Sequence, residues 1–215
     1  MDPLVVVIEV HDSIGLGTVS EIQTALRNAQ SAGYRKIVLD IDTPGGLVSA
    51  TKEIEALLQR VIEEDVNVVG FVRHQALSGG AYVALACDQV FMAPGSSIGA
   101  ITPVVLGPGG IQQIPDDDTR RKLISGLRGG VRSLVEARGR VPEEYRILAE
   151  AMVDPWMELF EVTWEDAAGV QQTAVLDPDE IAELERQQRS ILNQQKVGPM
   201  PLTLTPAEAG AHAPS

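Results

Sequence analysis

The chain reads as an α/β fold: parallel strands joined by right-handed crossovers, with helices covering the sheet. Three observations lead there. Residues 4–10 (L-V-V-V-I-E-V) are a nearly continuous apolar run, the pattern of a strand buried on both faces. Strand-like and helix-like segments then alternate in a β-α-β-α-β-α-β series. Two glycine turns, at 44–46 and 78–80, follow apolar strands, where α/β folds place functional groups.

The elements follow in order. After the first run comes a loop with Gly15 and Gly17. The T-V-S-E at 18–21 reads as a capping box, Thr18 with Glu21. Ile22, Leu26 and Ala29 form the stripe of that helix and Gly33 stops it. Residues 36–42 are a second strand and 47–64 a second helix, with Ile54, Leu57, Leu58 and Val61 on one face. Residues 66–72 are the third strand, 79–87 a short helix and 89–92 a fourth strand. The stretch 95–115, rich in Gly, Pro and Ser, reads as a long surface loop. After the Asp116–Asp118 acids, a helix over 119–138 carries Leu123, Leu127, Val131, Leu134 and Val135. Gly126, Gly129 and Gly130 each weaken it by about 1 kcal/mol relative to Ala. Residues 142–152 are helical, 156–176 a hairpin around an acidic turn, and 179–195 an exposed polar helix. In domain terms, 1–154 form the main unit, 155–196 a hairpin-and-helix extension of it, and 197–215 a loose tail.

Composition narrows the function classes. Aromatic residues are only 4%, so the core is aliphatic. The 17 basic and 30 acidic residues leave a net charge of −13, which argues against nucleic acid as a partner. The single cysteine, Cys87, rules out an internal disulfide or a cysteine zinc site and reads as core. No apolar run approaches the roughly 20 residues that span a bilayer. The M-D-P-L start lacks the basic region of a signal peptide, so the chain as given is expected to be soluble.

The chemistry centres on Ser78, at the turn between the third strand and the short helix. A serine there has its hydroxyl held out, and helix N-terminal amides point toward it. A nucleophile and an oxyanion hole can thus come from one segment, with a further N–H from the turn at 44–46. Equally, Ser is common in tight turns for steric reasons alone. The hydroxyl needs a base. His11, His74 and His212 show no Ser-His-Asp order, which leaves a lysine whose pKa is lowered by burial. Of the four lysines, Lys36 starts a strand, Lys52 is mid-helix on the side away from Ile54 and Leu58, and Lys196 is in the tail. Lys122 follows the loop that leaves the site region, and its plain reading is a solvated cation beside Arg120 and Arg121.

The motifs D-T-P-G-G (42–46), A-L-S-G-G-A (76–81), A-C-D-Q-V-F-M-A-P-G-S-S-I-G-A (86–100) and R-K-L-I-S-G-L-R (121–128) resemble the NfeD-type membrane-bound serine proteases of the ClpP/crotonase superfamily, related to signal peptide peptidase SppA. The likeness runs from about residue 5 to residue 154. It implies the ClpP/crotonase-like spiral of ββα and βαβ units. It also implies a Ser-Lys dyad, with Ser78 as nucleophile and Lys122, 44 residues later, as general base. Gly46 and Gly79 match the oxyanion donors. No cofactor is implied. Leu47, Leu77, Ile98, Ile101 and Val104 suit apolar substrate side chains. Family members are similar in cutting hydrophobic segments, for instance of stomatin- or prohibitin-like membrane proteins, and in forming dimers or larger homo-oligomers. They carry a signal sequence and C-terminal membrane helices, which points to the extracytoplasmic face for a full-length form. Two alternatives stay open: a crotonase-type acyl-CoA enzyme and a non-catalytic scaffold that kept the fold. A lysine base acts when neutral, so activity is expected to rise toward alkaline pH.

Overall fold

The computed structural model describes residues 5–107, 110–114, 117–137 and 143–211. Asp116, Arg138 and His212, singled out above, lie outside the described residues. The chain runs β1 (Val6–His11), α1 (Leu16–Ser31), β2 (Lys36–Thr43), α2 (Val48–Glu63), β3 (Asn67–Leu77), α3 (Gly79–Leu85) and β4 (Gln89–Met92). It continues through β5 (Ser97–Gly99), β6 (Val104–Gly107), β7 (Gly110–Gln113), α4 (Asp117–Ala137) and α5 (Glu143–Ala151). The last elements are β8 (Phe160–Glu165), β9 (Gln171–Leu176), α6 (Pro178–Arg186), β10 (Ser190–Lys196), β11 (Thr203–Leu204) and α7 (Pro206–Ala211).

The main sheet has the order β1-β2-β3-β5-β11, and β4 also pairs with β3. Strands β1 to β5 pair in parallel, as the βαβ pattern predicts. The 11-residue β3 holds the sheet together: its first half pairs with β4 and its last three residues with β5. Ile8, Val10, Ile37, Leu39, Ile41, Val68 and Val72 enter one core with Ile22 and Leu26 of α1, Ile54 and Leu58 of α2, and Tyr82 of α3.

Several local readings change. β1 is buried on one face only: Ile8 and Val10 are covered, whereas Val5 and Val7 are exposed. It is an edge strand, and the helices that pack on it lie on one side. Thr18 sits inside α1 rather than before it; its hydroxyl accepts the Gly15 N–H at 3.1 Å, so the side chain caps from the third helical position. The stretch 95–115 holds β5 and the β6–β7 hairpin. The polar helix is cut short at Arg186, and Ser190–Lys196 instead completes an antiparallel β10-β8-β9 sheet. Residues 202–204 of the expected tail are docked: β11 pairs antiparallel with β5, burying Leu202 and Leu204. Two leucines two residues apart in L-T-L are a strand signature that the surrounding Pro and Ala obscured.

Helix α4 is continuous despite its glycines, because it is anchored. Ile124, Val131, Leu134 and Val135 are buried. Glu150 of α5 is fully buried and accepts hydrogen bonds from Arg128 and Arg132 of α4 and from Arg146; Arg132 Nε lies 2.7 Å from its Oε1. Arg128 also donates to Asp154 at 3.0 Å. Burial alone would push the Glu150 pKa up. The hydrogen bonds and charges of Arg132, Arg128 and Arg146 outweigh that and hold it at about 2, down from 4.5.

A carboxyl whose pKa falls on folding adds stability above its unfolded pKa and loses it as pH drops toward the folded value. Glu150 should therefore contribute about 3 kcal/mol at neutral pH, lost between about pH 4.5 and 2. Urea denaturation at pH 7 and pH 3 measures it: the wild-type difference should shrink in Glu150→Gln, which should itself be destabilised at pH 7 by leaving the arginines without their carboxylate.

Candidate active site

Strand β2 ends in Thr43, which is fully buried. Its Oγ1 donates to the Asp12 carbonyl and accepts the Gly45 N–H at 3.0 Å, which turns the chain back sharply. The turn is stitched to the loop after β1: Ile14 N–H donates to Gly45 O and Leu47 N–H to Ile14 O, each at 2.9 Å. That ladder uses the residues on either side of Gly46, so the Gly46 N–H is directed away from it. A Cβ on Gly46 would lie 2.1 Å from the Ile14 carbonyl oxygen, so only glycine fits.

Strand β3 ends at Leu77, and Ser78 is the N-cap of α3 with φ +52° and ψ −119°. This is a backbone region that L-residues other than glycine avoid, and holding serine there costs about 1–3 kcal/mol. Its N–H is tied to Gly99 O at 2.9 Å. Gly79 is the first residue of α3, where a helical N–H has no partner inside the helix. The two glycine turns touch: a Cβ on Gly45 (φ +99°) would come 2.7 Å from Ser78 Cβ and 2.8 Å from Gly79 N. A Cβ on Gly79 would lie 3.5 Å from Gly46 N and 2.4 Å from Thr51 Oγ1. Ser78, Gly46 and Gly79, predicted as one group, thus lie together.

They line a cleft of about 30 Å³, room for a water or two. Its other walls are Val48, Thr51 and Lys52 of α2, Tyr82 of α3, the segment 101–103, and Leu127 of α4. Of the predicted apolar contacts, Ile101 is in the wall. Leu47 stands beside Gly46 and is half exposed, and Leu77 is partly covered. Ile98 is buried in the core, paired with Ala76 and Leu204. Val104 is exposed.

Lys122 is exposed and is not among the residues lining the cleft. At 3.6 residues per turn it projects about 140° from Leu127 and about 180° from buried Val131 around α4. The lysine in the cleft is Lys52. It donates to the Tyr82 hydroxyl, lies 4.3 Å above that ring, and reaches Glu55 at 3.0 Å. Partial burial lowers its pKa, but Tyr82 and Glu55 more than offset this, and the net shift is upward. Lys52 is therefore held as a cation. Burial raises the Tyr82 pKa, against the pull of Lys52, so the phenol stays neutral. Gly130 of α4 closes over the pair: a Cβ there would meet Tyr82 Oη at 2.6 Å. Sequence reasoning weighed Lys52 and set it aside as mid-helix, and did not consider Thr51 or Tyr82. A signal existed in the spacing, since Tyr82 falls one helical turn after Ser78 and Glu55 three residues after Lys52.

Two predictions follow from the turns. Ser78→Gly should relieve the strained backbone and raise stability by about 1 kcal/mol in urea denaturation. Gly46→Ala should lower it by about 1–3 kcal/mol, because the three nearest neighbours of the new Cβ are all backbone atoms of Ile14.

Residues 4–175 match the family model described as NfeD1b, N-terminal domain. Among curated relatives, the membrane protein NfeD1b of Bacillus subtilis (strain 168) is 40% identical over 96 residues, 45% of this chain and 21% of that protein. The membrane-bound protease PH1510 of Pyrococcus horikoshii is 30% identical over 105 residues, 47% of this chain and 23% of that protein. The chain thus spans about a fifth of the length of these relatives. Among solved structures, a mutant of the 1510-N membrane-bound stomatin-specific protease in complex with a substrate peptide superposes with a TM-score of 0.59. Its identity is 23%, over 84% of this chain and 71% of that one. ClpP1 from Listeria monocytogenes gives 0.51 at 13% identity, over 82% and 85%. The fold is therefore ClpP-like, as expected. Among the described residues no helix is long and apolar enough to cross a membrane, although the relatives are named as membrane proteins. The chain belongs to the NfeD1b N-terminal-domain family, whose homologues include membrane-bound proteases.

Proposed function

We propose that this domain is a serine endopeptidase with Ser78 as nucleophile, Gly46 and Gly79 as oxyanion donors, and a lysine as base. The observation that carries the reading is the strained Ser78 backbone, held beside two amides that the adjoining ladder and helix leave unused. Ser78 Oγ attacks the peptide carbonyl carbon while a neutral lysine takes its proton. The carbonyl oxygen, now an anion, accepts from the Gly46 and Gly79 amides, each worth a few kcal/mol in comparable sites. Collapse expels the amine, which receives the proton from the lysine. Water then attacks the ester and frees the acid and Ser78.

Two lysines compete for the base. The family resemblance favours Lys122, which needs the first turns of α4 to rotate by roughly half a turn. The same movement would carry Leu127 off the cleft and widen it. Lys52 already lines the cleft, but as a cation bound to Tyr82 and Glu55 it donates rather than accepts. We assign Lys122 as the base and Lys52 as a fixed charge beside the nucleophile. Ile101, Leu47 and Leu77 favour apolar substrate residues. The relative's stomatin-specific name makes a hydrophobic segment of a stomatin-like membrane protein the first substrate to try.

Hydrolysis of a hydrophobic peptide library tests this. Ser78→Ala and Lys122→Ala should each lower turnover by at least about 10³-fold, and Lys52→Met by about 10-fold. Activity should rise toward alkaline pH, and a maximum near about pH 5 contradicts a lysine base. Loss in Lys52→Met with activity kept in Lys122→Ala moves the base to Lys52. A folded wild type that cleaves nothing contradicts the protease reading. Binding of a coenzyme A ester would then favour the crotonase-type enzyme, and its failure the scaffold.

A further inference from the structure

The two halves of α4 are held by different means. The second half buries Val131, Leu134 and Val135, and Arg128 and Arg132 reach buried Glu150. Among the described residues of α4 before Leu127, Ile124 alone is buried. The first turns lean on Trp156 as well. The centre of its ring lies 5.3 Å from the Arg120 guanidinium and 4.7 Å from that of Arg121. Trp156 is 43% exposed, yet its place is fixed. Its backbone N–H donates to Asp154 Oδ1 at 2.9 Å, and Asp154 Oδ2 accepts from Arg128 of the held half.

Gly126 and Gly129 lie where the two halves meet. A Cβ on either would meet nothing within 4 Å among the described residues. Gly130 is required by its contact with Tyr82, but no such contact accounts for these two, and each weakens the helix. What glycine supplies there is backbone freedom. Lys122 rides on the first half, next to Arg121 and two residues after Arg120. A rotation of these turns that brings Lys122 to the cleft therefore takes both guanidiniums off the ring.

We infer that the Arg120–Trp156–Arg121 stack is a clamp that parks Lys122 outside the cleft, and that Gly126 and Gly129 are the joint about which it swings in. The clamp rests on Lys122 being the base, and Trp156 is a positioning residue that acts through it. Exposed cation–π contacts are weak enough for the parked and inserted states to interconvert.

Hydrogen exchange and peptide hydrolysis, both on the full chain, test the clamp. Trp156→Leu keeps an apolar cover and removes the stack. Amides 121–125 should then exchange at least about 5-fold faster, with 131–135 unchanged. Turnover should rise by about 5- to 30-fold, the equivalent of two exposed cation–π contacts. Arg120→Gln with Arg121→Gln should do the same, and adding Trp156→Leu to that pair should change nothing further. Gly126→Ala should stabilise the helix yet lower kcat at unchanged KM, and an unchanged kcat overturns the joint. Unaltered exchange at 121–125 in Trp156→Leu overturns the clamp. So does a folded Trp156→Leu whose turnover is no higher than that of an active wild type. A gain that survives when Lys122→Ala is added to Trp156→Leu overturns the parking of Lys122. Where wild type and variants all cleave nothing, the exchange rates alone decide the clamp, and the protease reading fails separately.

Discussion

The site depends on the contact between two glycine turns. The turn after β2 and the turn after β3 approach so closely that a single methyl at Gly45 would collide with Ser78, Gly79 and Leu77, while one at Gly46 would strike Ile14 and one at Gly79 would strike Thr51. This contact sets Ser78 and two amides around one small space. It is possible because β2 and β3 are parallel neighbours, so their carboxyl ends emerge side by side. Ser78, the non-glycine member, absorbs the strain in its positive φ. Strain of that size persists only where surroundings enforce it, and here the Ser78 N–H to Gly99 bond and the packing of Gly45 do so.

A second layer is electrostatic and positions α4. Three arginines converge on buried Glu150, and this fixes the helix that carries Leu127 and Gly130 over the cleft. The middle of α4 is thereby held, whereas Lys122, near its start, projects into solvent. The Lys52–Tyr82 pair fits only because Gly130 has no side chain. Helix propensity made that glycine look like a weakness; close approach accounts for it.

Much of the fold was legible in the chain. The βαβ series, the helix at 48–63 and the placing of the glycine turn at 44–46 near Ser78 follow from local periodicity and turn chemistry, while Gly46 and Gly79 as the specific donors come from the family resemblance. What was not legible depends on distant partners. β1 looked buried on both sides because Val5 and Val7 are as apolar as Ile8 and Val10, and sequence alone does not say which face is covered. β10 read as helix because its polar residues fit a solvated helix as well as a strand, and pairing with β8 decides between them. The pairing of Lys52 with Tyr82, 30 residues away, was not legible because it needs α2 and α3 packed together. Leu202 and Leu204 lay hidden in a stretch of breakers and small residues until β5 supplied a partner strand.

The most direct test of the central claim is a crystal structure of the chain treated with a peptidyl boronic acid bearing an apolar residue at its reactive end. The account predicts a bond from Ser78 Oγ to boron, with one boronate oxygen accepting from both Gly46 N–H and Gly79 N–H at roughly 2.7–3.1 Å. A reagent that leaves Ser78 unmodified, or an adduct whose oxygens point away from those two amides, would contradict it.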